Sequence, residues 1–184
     1  MKNIFIFHGT AGCPEENWFS WLKEKLEKMG RNVIVPQFPT PEGQSLESWL
    51  KVLDKHKQYI NADTIFIGHS LGGIFLLRIL ERLPTACKAA FFTGTPIGIK
   101  PIKNYDSDNS FSGFSFDWDN IKKKAGYFSV YHSDNDPYVS LGNGEELAKR
   151  LDVKLNLIPN AGHFNTRAGY TEFDRLWDEL KSLL

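Results

Sequence analysis

The chain has 184 residues, of which 41% are hydrophobic and 24% are charged, and this composition predicts one soluble globular domain over residues 1–184. Its 22 Lys and Arg residues balance its 22 Asp and Glu residues, so the net charge does not indicate nucleic-acid binding. The two cysteines, Cys13 and Cys87, are too few and too distant for a disulfide framework or a zinc site. The apolar run at residues 4–7 is too short for a signal peptide, and no run approaches the roughly 20 apolar residues of a membrane span. We therefore expect a cytoplasmic monomer or small homo-oligomer that binds no membrane, metal or cofactor.

Short apolar strands and amphipathic helices alternate along the chain. In chain order we predict a strand at 4–7, a helix at 18–29, a strand at 33–35, a helix at 45–53, a strand at 64–67, a helix at 71–83, strands at 89–92 and 127–131, a helix at 145–151, a strand at 153–157 and a helix at 171–184. The strands are apolar on both faces, which is typical of a parallel sheet covered by helices on each side. The sequence therefore predicts an α/β fold with about six mostly parallel strands.

The connection from Gly94 to Asn120 interrupts this alternation. It is rich in Gly, Pro, Ser, Asn and Asp, and it carries the aromatic residues Phe111, Phe114, Phe116 and Trp118. Loops longer than about 12–15 residues in a compact domain are usually functional or disordered, and the interleaved rings argue against disorder. Two interpretations stay open: the rings anchor a surface flap to the core, or some of them line an apolar substrate pocket.

The segment Gly68-His69-Ser70-Leu71-Gly72 has the pattern G-x-S-x-G and lies between a predicted strand and a predicted helix. This context is typical of a nucleophile elbow, in which a sharp turn exposes the serine and glycines on either side prevent clashes. The turn also places Ser70 at a helix N-terminus, where backbone dipoles favour developing negative charge. We therefore predict that Ser70 is a nucleophile.

A serine nucleophile needs a base, and the chain offers His8, His56, His69, His132 and His163. His163 lies in the predicted loop between the last strand and the last helix, where the chain order serine, acid, histidine places the base. We expect this loop to be free, so that the imidazole can swing over the strand ends. His69 is inside the turn and should point elsewhere.

The acid that orients the base should follow a strand between Ser70 and His163. The segment Ser133-Asp134-Asn135-Asp136-Pro137 meets this condition, and we predict Asp136 as the acid with Asp134 as the alternative. Two backbone N–H groups should stabilise the oxyanion. We predict that one belongs to Leu71, which follows the nucleophile, and the other to Thr10 or, second in rank, Ala11 in the loop after the first strand.

These motifs resemble those of the small serine hydrolases related to YdeN and to retinoblastoma-binding protein. The resemblance rests on His8-Gly9-Thr10, on the segment from Ile67 to Gly73, on the turn from Ser133 to Val139 and on Gly162-His163-Phe164. It implies a three-layer α/β-hydrolase core of about six strands, which lacks the first strands of the larger α/β hydrolases and has no large cap domain. It also implies esterase-like activity without a cofactor.

The resulting functional hypothesis is hydrolysis of a small acyl ester or thioester through an acyl-enzyme on Ser70. An alternative is a catalytically weak or inactive protein that serves as a binding or regulatory module. A third hypothesis, a metal or redox site built from His8, His132 and Cys13, lacks the ligand spacing of known metal sites.

Overall fold

The computed structural model describes residues 3–113 and 115–184, and its centre is a six-stranded sheet. The strands are β1 (Asn3–Phe7), β2 (Asn32–Ile34), β3 (Ile65–His69), β4 (Ala89–Thr93), β5 (Phe128–His132) and β6 (Leu155–Leu157). The helices are α1 (Phe19–Lys28), α2 (Leu46–Asp54), α3 (Leu71–Leu80), α4 (Tyr105–Ser112), α5 (Trp118–Ile121), α6 (Leu141–Arg150) and α7 (Asp174–Lys181). Short 3₁₀ turns lie at Lys57–Tyr59 and Thr166–Ala168.

All neighbouring strands of the sheet are parallel, in the order β2-β1-β3-β4-β5-β6. The carboxyl ends of parallel strands meet at one edge, so the loops that follow β1, β3, β4, β5 and β6 lie side by side. These loops carry the predicted site residues. The predicted α/β architecture is therefore confirmed.

Two apolar layers cover the sheet because alternate residues of each strand point to opposite faces. Phe5 and Phe7 of β1 belong to one buried cluster with residues of α2, α3 and α6. Ile4 and Ile6 belong to a second cluster with residues of α1 and α7. This arrangement explains why the central strands read as continuous apolar runs rather than as alternating ones.

Several predicted boundaries differ from the structure. Helix α6 begins at Leu141 rather than Glu145. Gly142 and Gly144, which are unfavourable in a helix when the sequence is considered alone, lie inside it. Gly144 packs on β5, where an added Cβ would lie 2.6 Å from the His132 side chain. In addition, α3 ends at Leu80, β6 begins at Leu155 and α7 begins at Asp174, each shorter than predicted.

The predicted long connection contains the helices α4 and α5 and, within its described residues, no separate cap domain. Phe111 is fully buried and packs against Trp49 and Phe75. Phe116 and Trp118 contact each other, with ring centroids 5.0 Å apart. These three rings do not line the cavity at Ser70, and Phe111 anchors the segment as in the first interpretation. Phe116 and Trp118 pack on the same buried cluster and also border a second, open cavity of about 620 Å³. Phe114 lies outside the described residues.

No helix in the described ranges is both long enough and apolar enough to cross a membrane.

Candidate active site

Ser70 occupies the turn between β3 and α3 with φ 54° and ψ −124°, in a region that residues other than glycine rarely adopt. Glycines on both sides make this turn possible. A Cβ at Gly68 would lie 2.6 Å from the carbonyl oxygen of Gly72, and a Cβ at Gly72 would overlap the carbonyl oxygen of Phe7 in β1. Strain held in this way is characteristic of functional positions.

A cavity of about 500 Å³ opens at this turn. Ser70 and His163 both line it, together with Gly9 and Thr10 from the loop after β1. Gly9 is in close contact with the serine, since a Cβ at this position would lie 2.8 Å from Cβ of Ser70. The structure thus brings the predicted nucleophile, the predicted base and the predicted oxyanion loop to one cavity.

His163 is paired with Asp136. Nδ1 of His163 lies 2.6 Å from Oδ2 of Asp136, and the Asp136 side chain is fully buried. Oδ1 of Asp136 accepts hydrogen bonds from the backbone N–H groups of Tyr138 at 2.8 Å and Val139 at 3.0 Å. Of the two candidate acids, the structure therefore places Asp136, and not Asp134, against the imidazole.

Asp134 lies away from the imidazole and helps to hold the loop that carries His163. Three consecutive backbone N–H groups of this loop, at residues 160–162, donate to Asp134 Oδ1 at 2.8 Å, Ser133 Oγ at 2.9 Å and Asn135 Oδ1 at 2.7 Å, respectively. The expectation of a free loop was wrong, since the short polar side chains after β5 fasten it. The imidazole is held in place rather than free to swing.

His69 fastens the same loop from the other side. Its Nε2–H donates to the carbonyl oxygen of His163 at 2.8 Å. Burial lowers the pKa of His69 to about 3, so this ring is neutral and serves as a hydrogen-bond donor at neutral pH. The ring of His69 lies beside that of His163, with centroids 4.8 Å apart, and it also lines the cavity, so the expectation that it points elsewhere does not hold.

His8 directly follows β1 and His132 ends β5, and these strands lie three positions apart in the sheet, which is about 14 Å at the usual strand spacing. Nδ1–H of His8 donates to the carbonyl oxygen of Gly9, and Nε2–H of His132 donates to the carbonyl oxygen of Val139. Burial lowers the pKa of both imidazoles. Their separation is too large for one shared metal ion.

The N–H groups of the two predicted oxyanion donors, Thr10 and Leu71, differ in their hydrogen bonding from the N–H group of the alternative, Ala11. In the described residues, the N–H groups of Thr10 and Leu71 donate to no backbone acceptor outside the helices and strands. Leu71 is the first residue of α3, where a backbone N–H has no partner within the helix. The N–H of Ala11 donates to Thr40 Oγ1 at 2.6 Å. The geometry thus favours Thr10 over Ala11, and the catalytic role of either N–H stays a prediction.

Known proteins resemble this chain over nearly its whole length. The family model for serine hydrolases matches residues 4–182. The chain belongs to the serine hydrolase family. The YdeN hydrolase of Bacillus subtilis (strain 168) is 28% identical over 181 residues, which cover 98% of this chain and 95% of YdeN. The serine hydrolase RBBP9 of Rattus norvegicus is 26% identical over 186 residues, which cover 96% and 91% of the two chains. The crystal structure of the B. subtilis ydeN gene product superposes with a TM-score of 0.92 and 28% identity, over 100% of this chain and 98% of that one.

One ionisable residue that the sequence did not indicate lies close to the glycine-containing loop of this serine hydrolase. Glu16 lines the cavity together with Ser70 and lies against Gly12. Burial raises the pKa of its carboxyl group to about 7, and a hydrogen bond from the backbone of Cys13 opposes the shift only in part. Only its position close after the glycine-containing loop could have drawn attention to it.

Ser133 and Asn135 were also missed as individual residues of the serine hydrolase site. Both occur in the turn that supplied the candidate acids, and both accept a hydrogen bond from the loop that carries His163. Four consecutive short polar side chains directly after a buried strand are a signal that sequence inspection could have used.

Proposed function

We propose that this serine hydrolase cleaves small carboxylic esters or thioesters through a covalent acyl-enzyme on Ser70. The proposal assigns His163 as general base and Asp136 as the group that orients and stabilises the imidazole. One observation carries it: the buried hydrogen bond between Asp136 and His163 stands at the cavity that is also lined by Ser70 on its strained turn.

In the first step, Oγ of Ser70 attacks the carbonyl carbon of the ester while its proton passes to Nε2 of His163. Nδ1–H of His163 donates to Asp136, which leaves Nε2 as the accepting nitrogen. The carbonyl oxygen becomes an oxyanion, which the N–H groups of Leu71 and Thr10 stabilise. The carbon–oxygen or carbon–sulfur bond then breaks, and the leaving group takes the proton from His163.

In the second step, a water molecule gives a proton to His163 and attacks the acyl carbon. The bond to Oγ of Ser70 breaks, the serine recovers its proton and the carboxylic acid leaves. Each N–H donor of an oxyanion hole typically contributes about 2.7–4 kcal/mol of transition-state stabilisation. Because the donors here are backbone groups, replacing the side chains of Thr10 or Leu71 does not remove them.

The size of the site supports small substrates. A cavity of about 500 Å³ is in the lower half of the range of roughly 300–1,000 Å³ that is usual for small-molecule sites. In its described residues, the segment between β4 and β5 adds two short helices and not a large cap. We therefore expect short acyl chains to react faster than long ones.

A fluorophosphonate probe tests the proposal directly, because it forms a covalent bond with an activated serine. We expect labelling of the wild type and none of Ser70→Ala. Ser20→Ala, which removes a hydroxyl from an exposed position, should be labelled like the wild type. Hydrolysis of 4-nitrophenyl esters of increasing chain length should follow the same pattern and decline for long chains. An unlabelled wild type, or equal labelling of Ser70→Ala, would favour the inactive binding module instead.

A further inference from the structure

Two cations flank one aromatic ring at the wall of the cavity. Nζ of Lys103 lies 4.7 Å from the ring centroid of Tyr138, and Nη1 of Arg167 donates to the Tyr138 hydroxyl at 3.3 Å. The rings of Tyr138 and His163 form a T-shaped contact, with centroids 5.0 Å apart and planes at 80°. All four residues line the same cavity as Ser70. The Tyr138 ring therefore contacts both the imidazole of His163 and the ammonium group of Lys103, at about 5 Å from its centroid in each case.

The backbones that carry these cations are fixed. Lys103 follows an antiparallel bridge between Ile102 and Val139, and its N–H donates to the carbonyl oxygen of Tyr138 at 2.8 Å. Arg167 lies in the 3₁₀ turn after His163, where the N–H of Thr166 donates to the side chain of Asn17 at 2.9 Å. Both side chains thus start from positions that the fold defines.

The two acidic residues of the cavity, Asp108 and Glu16, have contacts of their own. Asp108 is 4% exposed, and its Oδ1 accepts hydrogen bonds from Thr10 at 2.8 Å and Gln44 at 3.1 Å. Glu16 lies against Gly12, and with a pKa of about 7 it carries only part of a charge near neutral pH. Among the described residues, Lys103 and Arg167 form no ion pair with any carboxylate.

We propose that Lys103 and Arg167, with Tyr138 between them, form a subsite for a carboxylate of the substrate, so that the preferred esters are anionic. This inference rests on the proposed function and specifies the substrate class of the same site. Arginine and lysine are the side chains that bind carboxylates through charge-assisted hydrogen bonds. The carboxylate belongs either to the acyl part, as in the half-ester of a dicarboxylic acid, or to the alcohol part.

Two pairs of matched esters distinguish these sources. The first pair is 4-nitrophenyl hydrogen succinate and its methyl-capped neutral form, which differ in the charge of the acyl part. The second pair is 4-acetoxybenzoate and its methyl ester, which differ in the charge of the leaving group. For the pair whose charge matches the subsite, we expect the wild type to show a kcat/KM about five- to tenfold higher for the anion, mainly through KM. This ratio should fall in 0.5 M NaCl because salt screens exposed charges.

The test variant is the double substitution Lys103→Gln with Arg167→Gln. It should reduce the anion-to-neutral ratio to about 1, because only the anionic ester of each pair uses the two cations. The control is Lys154→Gln with Arg175→Gln, which removes the same charge from exposed positions outside the cavity and should keep the wild-type ratio. A wild-type ratio of 1 or less for both pairs, or an unchanged ratio in the test variant, overturns the subsite.

Fluorophosphonate labelling in the same proteins separates the two proposals. If Ser70 is labelled and neutral esters are hydrolysed, a missing preference for anions refutes only the carboxylate subsite. If the wild type is neither labelled nor active, the proposed function fails, and the subsite as a determinant of substrate class fails with it.

Discussion

Replacing Asp136 by asparagine exchanges one oxygen for an NH₂ group at nearly constant volume. Oδ1 of Asp136 accepts two backbone hydrogen bonds, from Tyr138 and Val139, so an asparagine must keep its carbonyl oxygen at that point. Its NH₂ group then faces Nδ1 of His163, which now has to accept rather than donate. The imidazole proton moves to Nε2, and the nitrogen that should deprotonate Ser70 is no longer a base.

The expected loss in kcat is about 10⁴-fold, the size seen when a triad histidine is held in the wrong tautomer, and it corresponds to roughly 5 kcal/mol in activation free energy. The alternative orientation of the asparagine would bury two unpaired backbone donors at about 1–3 kcal/mol each. No water offsets this cost, because the Asp136 side chain is fully buried. Since Asp136 does not line the cavity, KM should change by less than threefold.

Steady-state hydrolysis of 4-nitrophenyl acetate measures both constants, and thermal unfolding verifies that the variant is folded. The matched control is Asp134→Asn in the same turn. Its side-chain oxygen still accepts the N–H of Asn160, and the site is exposed, so kcat should stay within threefold of the wild type. An Asp136→Asn protein that keeps more than a tenth of the wild-type kcat would refute the role of Asp136, and so would a loss of kcat in Asp134→Asn as large as that in Asp136→Asn.

Two further predictions concern stability. Because burial raises the pKa of Glu16 to about 7 from 4.5, the folded protein keeps a proton that the unfolded chain releases, and the unfolding free energy falls as pH rises between these values. Glu16→Gln should remove this dependence on pH and stabilise the protein at pH 8 by about 1 kcal/mol, a figure reduced for the solvent contact of the carboxyl group. Urea unfolding of both proteins at pH 5 and pH 8 tests this. The same change in unfolding free energy with pH in the wild type and the variant would contradict it. Gly72→Ala should lower the unfolding free energy by about 2–3 kcal/mol, because its Cβ overlaps a backbone carbonyl of β1. The control is Gly142→Ala, where the nearest atom to the new Cβ is 3.6 Å away; it should raise the unfolding free energy by about 0.5–1 kcal/mol. A Gly72→Ala protein with the wild-type Tm would show that the contact with β1 does not exclude a Cβ.

The strands and the sheet could be predicted because their signal is local. In β3 and β4 every residue is buried, so continuous apolar runs mark these strands in the sequence. The beginning of α6 could not be predicted in the same way. Gly142 and Gly144 suggest a break in an isolated sequence, and only the close approach of α6 to β5 explains a glycine inside the helix.

The candidate site was predictable to the extent that chain order determines it. Ser70, Asp136 and His163 follow strands in the order expected of a hydrolase, and the sheet brings the ends of those strands together. The sequence ranks Asp136 ahead of Asp134, but the hydrogen bonds that distinguish the two acids run across space, from Asp136 to His163 and from Asp134 to Asn160. Lys103 and Arg167 were not predicted as a pair, since 64 positions separate them in the sequence and only Tyr138 brings them together.

The hydrogen bonds between the turn after β5 and residues 160–162 also have a consequence for protein engineering. Because each loop supplies one half of every bond, grafting either loop alone from another hydrolase would leave donors or acceptors without partners. The two loops therefore form one transferable module, and chimaeras of this family should exchange them together.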